Sequence, residues 1–379
     1  MQGRCSVSRS IFRLTLLAVT LGIPVHASAE DAGVNPPHHH ASAEEGDSAS
    51  PHNHAGDLLL FPAITGTHRN VSVPGLDENE LMPEVDIFYS TDHDRLRFLA
   101  EFLLSSDEHE VERLQLGWLV QPAATLWLGR FHTPLGFWNS EHHHGAFMQT
   151  TISRPSILDF EDDNGMLPTH ITGMLAEGSL DHGHGSINYA FGIGQGPELE
   201  SELVPVNIVE FRNGGKLAAS ARLSYRPLDV SANEFGAFAG YASIPVIGSP
   251  INEVDQTVAG VFYNLETGKL RLVGELFYVS NRLEDSASAS DADFSAGYLQ
   301  AEYQMHDSWT VFGRLEGTAN AKNKAYLDLN QEFMAERAMV GARFEVGSRQ
   351  ALKLELSRNE TQGDTRFNQL DLQWSMVYP

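Results

Sequence analysis

Three stretches decide the fold: Ala338-Met339-Val340-Gly341-Ala342-Arg343-Phe344-Glu345-Val346, Leu352-Lys353-Leu354-Glu355-Leu356 and Leu370-Asp371-Leu372-Gln373-Trp374-Ser375-Met376-Val377-Tyr378. Ala338, Val340, Ala342, Phe344 and Val346 share one parity; Met339, Gly341, Arg343 and Glu345 hold the other. Leu352, Leu354 and Leu356 oppose Lys353 and Glu355, and Leu370, Leu372, Trp374 and Met376 oppose Asp371, Gln373 and Ser375. Successive side chains of a strand point to opposite faces, so each stretch reads as a strand with one apolar and one polar face. Such a strand borders two solvents. Lipid outside and a watery lumen inside fit the pattern, which gives a transmembrane antiparallel β-barrel.

The N-terminus points the same way. Arg4, Arg9 and Arg13 flank or precede the apolar run Leu14 to Val25, and Ala27-Ser28-Ala29 offers small residues for cleavage. Residues 1–29 therefore read as a secretory signal peptide. The run falls short of the roughly 20 residues that span a bilayer, and no later run reaches that length, so insertion is by strands. Cys5, the only cysteine, lies in the signal, which excludes disulfides, Cys-ligated zinc and a thiol nucleophile from the rest. A formal charge of −25 argues against nucleic acid as a partner. An acidic lining favours cations over anions, while acidic loops also keep an outer surface hydrated.

Residues 30–57 form a His-rich, low-complexity tail with no aromatic residue and no means of burying a core, and are expected to be disordered. Beyond it, alternation predicts strands at 58–65, 84–91, 94–104, 110–120, 124–131, 169–178, 186–194, 216–226, 235–244, 255–265, 268–280, 293–305, 308–316, 337–346, 350–358 and 366–377. The even count of sixteen puts both ends of the barrel, and hence the tail, on the periplasmic side. Fourteen is the alternative, because 58–65 contains Pro62, which cannot donate to a ladder. The connections 132–168, 195–215, 245–254, 281–292 and 317–336 are long and alternate with short ones, the asymmetry of outer-membrane barrels. Trp118, Trp127, Tyr225, Tyr241, Tyr278, Trp374 and Tyr378 lie near strand ends, where interfacial girdles form. A soluble β-sandwich or solenoid would also alternate, but has less reason to place Arg and Glu at successive inward positions, and no fixed-period repeat is present.

The segment Leu128-Gly129-Arg130-Phe131-His132-Thr133-Pro134-Leu135-Gly136-Phe137-Trp138-Asn139 is similar to the one where Gram-negative outer-membrane porins of the general and phosphate-selective types leave a strand for a long loop. The terminal Trp374-Ser375-Met376-Val377-Tyr378, followed here by Pro379, resembles the C-terminal signal read by the barrel assembly machinery. The resemblance covers residues 58–379. It implies an integral outer-membrane channel for diffusion of small hydrophilic solutes, lipid contact and a homotrimer. It also implies that the third external loop, 132–168, folds inward as a constriction. A basic ladder suited to phosphate is not evident, so that substrate is not carried over.

The loop holds His132, Glu141, His142, His143, His144, Asp159, Glu161, Asp162 and Asp163, with His170 just beyond. Imidazole with carboxylate suits zinc or another divalent transition metal, provided three or four ligands converge. Neighbouring histidines point opposite ways on extended backbone, so His142 and His144 with a distant carboxylate or His170 form the expected set. His38, His39, His40, His52 and His54 in the tail, and His182 and His184 in a periplasmic turn, extend the candidates. All of these equally suit solvated or hydrogen-bonded roles. Arg97, Glu101, Arg222, Arg271, Glu275, Glu302, Arg314, Glu316, Arg343, Glu345, Lys353 and Glu355 sit at inward parity and read as pore lining, bracing the wall through cross-strand pairs. No nucleophile elbow, P-loop or dinucleotide fingerprint occurs, so no enzymatic role or required cofactor is read. A non-conducting barrel that anchors a metal-sequestering or surface-binding protein is the alternative function.

Overall fold

The computed structural model describes residues 56–379, apart from 74, 107–108, 143–144, 162–164, 209–213, 229–231, 286–288, 321–324 and 330–331. The signal peptide and the tail histidines His38, His39, His40, His52 and His54 lie outside the described residues.

Sixteen antiparallel strands close into a barrel. They are β1 (Asp57–Arg69), β2 (Asn79–His93), β3 (Leu96–Ser105), β4 (His109–Gln121), β5 (Ala124–His132), β6 (His170–His182), β7 (Gly185–Gln195), β8 (Leu217–Pro227), β9 (Glu234–Pro245) and β10 (Ile251–Thr267). Then follow β11 (Leu270–Asp285), β12 (Phe294–His306), β13 (Trp309–Ala319), β14 (Met334–Glu345), β15 (Gln350–Thr361) and β16 (Arg366–Met376). A three-residue strand, Ala289–Asp291, pairs antiparallel with the end of β11, and a small hairpin pairs Glu198–Leu199 with Leu203–Val204. Each strand pairs with its sequence neighbours, and β1 pairs with β16 from Ala63↔Ser375 to Arg69↔Gln369, leaving no open edge. Closure is what permits strands to cross lipid, because every backbone group then finds a partner.

The barrel is apolar outside and polar within. Leu315, Val340, Leu356 and Leu372 are half or more exposed on the outer face. Lys353, Glu355, Asp371 and Gln373, one residue out of step with them, are buried inside. An outer face of this kind is a lipid-facing surface.

Fourteen strands, the alternative count, is ruled out by β1. Pro62 lies in the seam strand, opposite Val85 of β2. On its other side the ladder to β16 resumes at Leu60, which exchanges both backbone hydrogen bonds with Tyr378 at 2.8 and 2.9 Å. The missing proline N–H thus interrupts one rung of the seam and no more. Trp127 corrects a girdle expectation: it faces inward and donates from Nε1 to Glu177 Oε1 at 2.8 Å.

The inner face is not polar throughout. Phe238 of β9, Val258 and Phe262 of β10, and Val273 and Phe277 of β11 point inward and are buried. They form one apolar cluster with Leu135, Phe137, Trp138, Ile157, Leu158, Met166 and Leu167 of the connection 133–169. Leu199, Leu203, Tyr326, Leu327 and Phe333 from two other long connections join the same cluster.

Candidate functional site: the loop that crosses the lumen

The ladder between β5 and β6 ends at His132↔His170. One further bond, Thr133 N–H to Thr169 O at 2.8 Å, closes the neck of the loop. Leu135 then packs over Gly240 of β9. Gly136 has φ +84°, and a Cβ there would stand 1.9 Å from Glu275 Oε2, so no other residue fits. Beyond it, Phe137 N–H and Trp138 N–H donate to Glu275 Oε2 and Oε1 at 2.9 and 2.8 Å, while Tyr298 OH donates to Oε1 at 2.5 Å.

The loop then contacts one wall after another. Glu141 pairs with Arg226 of β8 at 3.0 Å, and His142 Nε2 lies 3.1 Å from Arg271 Nη2 of β11. Gly145 N–H donates to Asp86 of β2 at 3.0 Å. Lys353 donates to Ala146 O and, at 3.1 Å, to Thr151 O. Arg343 donates to Phe147 O and Gln149 O, each at 2.6 Å. Thr150 Oγ1 donates to Glu302 at 2.8 Å. Glu355 accepts from Ile152 N–H at 3.0 Å, Ser153 N–H at 3.3 Å and Ser153 OH. Arg314 donates to Ser153 O and Arg154 O at 3.0 and 2.7 Å, and Arg337 to Arg154 O at 2.9 Å. Ser156 N–H donates to Glu316 at 2.7 Å. On the return, Met166 O accepts from Gln256 at 3.1 Å and from Tyr326 OH at 2.8 Å. Burial pushes the ionisation of the Tyr326 hydroxyl upward, so it stays a donor there.

The division of labour is chemical. Wall carboxylates take the loop's N–H groups, and wall guanidinium and ammonium groups take its carbonyls. A segment whose only regular structure is a helical turn at Trp138–Glu141 and 3-10 turns at Ala146–Met148 and Ser156–Leu158 has no ladder of its own and must find partners for its backbone. The inward Arg, Lys and Glu residues supply them. Glu275, Glu302, Arg314, Glu316, Arg343, Lys353 and Glu355 all hold the loop, and two of them also brace the wall across strands as expected: Glu302 lies 3.7 Å from Arg271 and Glu316 3.5 Å from Arg337, each its register partner. Arg343–Glu345 at 2.6 Å and Arg314–Glu316 at 2.8 Å are ion pairs along one strand. Arg97 donates to Thr125 at 3.2 Å, Arg113 to Glu101 at 2.7 Å and Arg222 to Glu234 at 2.8 Å.

Among the described residues, the ligands of the expected set lie in separate places. His142 packs against Phe137 and Trp138 and meets Arg271, not His170. His182 closes the β6–β7 ladder opposite Gly185, and His184 lies in the turn between those strands, both at the end away from the loop. Asp159 follows a 3-10 turn at Ser156–Leu158, while His143, His144, Asp162 and Asp163 lie outside the described residues. Among the described residues, the ligand atoms that converge are those of Glu112, His132 and His170, within 4.8 Å of one another. His170 Nε2 is 2.9 Å from Glu112, and its Nδ1 is 2.9 Å from Glu161. Glu112 escapes a parity reading because β4 bulges there: Glu101 pairs with Arg113, but Phe102 pairs with Val111. The extra residue is turned inward, although alternation groups it with the lipid-facing Leu114 and Leu116.

Similar solved structures include an anion-selective porin from Comamonas acidovorans, with 14% identity, a TM-score of 0.58, and 86% of this chain and 99% of that chain covered. OmpF of Salmonella typhi, in complex with daunomycin, gives 10%, 0.55, 86% and 98%. The outer membrane channel DcaP of Acinetobacter baumannii gives 10%, 0.54, 85% and 97%. The chain has the outer-membrane porin fold. No family profile and no curated protein sequence matches it. Within a porin-fold barrel, the connection 133–169 is the third at the long-loop end, after 70–78 and 106–108.

Proposed function

We propose that this porin-fold barrel is an outer-membrane channel through which small hydrophilic solutes diffuse, with loop 132–168 as its constriction. The observation that carries the reading is the loop's path: it leaves β5, reaches Arg314 and Arg337 on the far side of the barrel, and is latched there by wall charges. A loop fixed this way narrows the lumen without being free to leave it. The N-terminal tail then lies in the periplasm, the C-terminal strand engages the barrel assembly machinery, and the barrel sits in lipid as a homotrimer. Liposome swelling with neutral sugars of graded size tests this: swelling that stops above a size limit supports it, and no swelling from folded barrels at any size refutes it.

The reading extends to a divalent transition metal, zinc foremost, as ligand or transported ion. The imidazoles of the tail, of the loop root and of the β6–β7 turn support it through ligand type. A second reading, a non-conducting barrel that anchors a metal-sequestering or surface-binding protein, is favoured by one observation. Trp138, Leu158, Phe238, Phe262 and Phe277 fill part of the lumen with packed apolar side chains. Folded barrels that retain metal but swell with no sugar would establish that reading instead.

A further inference from the structure

His132 and His170 face each other across the β5–β6 ladder, with ring centroids 5.0 Å apart. The bulge on β4 delivers Glu112 to the same spot. Its Oε2 lies 2.9 Å from His170 Nε2 and 3.7 Å from His132 Nε2. Glu101 Oε2 stands 3.9 Å from His132 Nε2 on the other side. Tetrahedral zinc with bonds of about 2.0–2.1 Å separates its ligand atoms by about 3.3–3.4 Å, so small side-chain rotations bring these atoms onto one ion.

Two further features point to a ligand. Glu161 accepts from Thr169 N–H at 2.8 Å and His170 N–H at 3.2 Å through one oxygen, and holds His170 Nδ1 at 2.9 Å with the other. A carboxylate on one ring nitrogen orients the imidazole and leaves the opposite nitrogen to ligate, the arrangement found behind metal-bound histidines. The charge count agrees. Around the two imidazoles, Glu101, Glu112 and Glu161 are buried and Glu110 is partly buried, with Arg113 on Glu101, Arg130 on Glu110 and His170 between Glu112 and Glu161. Carboxylates gathered away from water favour a cation among them.

We infer that Glu112, His132 and His170 form a zinc-class metal site, with Glu101 or water in the fourth position and Glu161 as the positioning residue behind His170. The site clasps β4, β5 and β6 at the neck of the loop. Glu161 belongs to the loop itself, so a bound ion ties the loop's returning limb to its root. The ligand side chains are 4–7% exposed, so the ion comes and goes only when the neck opens. The link between this site and conductance rests on the channel reading above; the binding itself does not.

The test uses the full chain folded in detergent, stripped with chelator and titrated with Co2+ and Zn2+. It is run as wild type and with His38, His39, His40, His52 and His54 changed to Ala. The expected result is one equivalent of Co2+ per chain with a tetrahedral visible spectrum, displaced by Zn2+, and retained without the tail histidines. His132→Ala abolishes that spectrum. Glu112→Gln, which keeps the volume and a hydrogen bond to His170, also abolishes it. Glu161→Gln weakens affinity 10- to 100-fold with the spectrum unchanged. No stoichiometric Co2+ in folded, tail-substituted protein overturns the site, as does binding that survives both His132→Ala and Glu112→Gln. Conductance without binding removes the metal site and leaves the channel. Binding without conductance upholds the site and removes the channel.

Discussion

Replacing Glu275 by Gln unlatches the loop at its first anchor without changing side-chain volume. The carboxylate accepts from Phe137 N–H at 2.9 Å, Trp138 N–H at 2.8 Å and Tyr298 OH at 2.5 Å, and the residue is 1% exposed. A carboxamide keeps one acceptor oxygen. Whichever way it turns, its NH2 faces one of the two backbone N–H groups and leaves that donor buried without an acceptor, at a cost of about 1–3 kcal/mol. The remaining bonds also lose their charge assistance. Relief of a buried charge offsets part of this, so a net loss of about 1–2 kcal/mol is expected, which multiplies the undocked population roughly 5- to 30-fold. Chymotrypsin reads that population, because Trp138 is 1% exposed and is cut only when the loop leaves the lumen. Cleavage after Trp138 should accelerate by that factor while unheated samples keep the gel mobility of a folded barrel. A rate within twofold of wild type, or an increase matched by global unfolding, would refute the latch.

Three other substitutions probe the same construction. Trp138→Ala empties a site packed edge-on against Tyr298, with Arg314 5.4 Å above the ring, and should lower barrel stability to urea by about 3–5 kcal/mol. Gly136→Ala places a methyl group 1.9 Å from Glu275 Oε2 at φ +84°; it should raise Trp138 cleavage at least as much as Glu275→Gln, and unchanged cleavage would count against the close approach. Leu354→Arg puts a charge on the lipid face and should cost about 2–4 kcal/mol in lipid-folded barrels, whereas Leu354→Val should be nearly neutral.

Strand positions were legible because one physical demand, apolar toward lipid and polar toward the interior, repeats every second residue. The terminal strands show it best: Leu352, Leu354 and Leu356 face out, and Lys353 and Glu355 face in. The demand fails where the interior is apolar as well. On β9 and β10 Phe238, Val258 and Phe262 point inward and Phe235 and Val261 outward, so apolar parity there carries no face information, whereas on β11 Arg271 and Glu275 still mark the inner face that Val273 and Phe277 share. Trp127 looked interfacial for the same reason: its burial comes from a partner, Glu177, fixed only by β5–β6 pairing. The roles of the inward charges were not legible, because Lys353 and Arg343 bind backbone about 200 residues away in sequence. Glu112 was hidden by a bulge, which inverts parity without any sequence mark. His170 was within reach, since it flanks the loop at the strand that pairs with His132. The contact of His142 with Arg271 was not legible, because the two are 129 residues apart in sequence.

Single-channel conductance in planar bilayers tests the central claim, comparing wild type with Arg343→Ala, which frees the Phe147 and Gln149 carbonyls. Discrete steps in wild type and larger steps in the variant are predicted, because the loop sets the passage and the wall charges set the loop. No steps from folded barrels, or equal steps while protease shows the loop released, would contradict it.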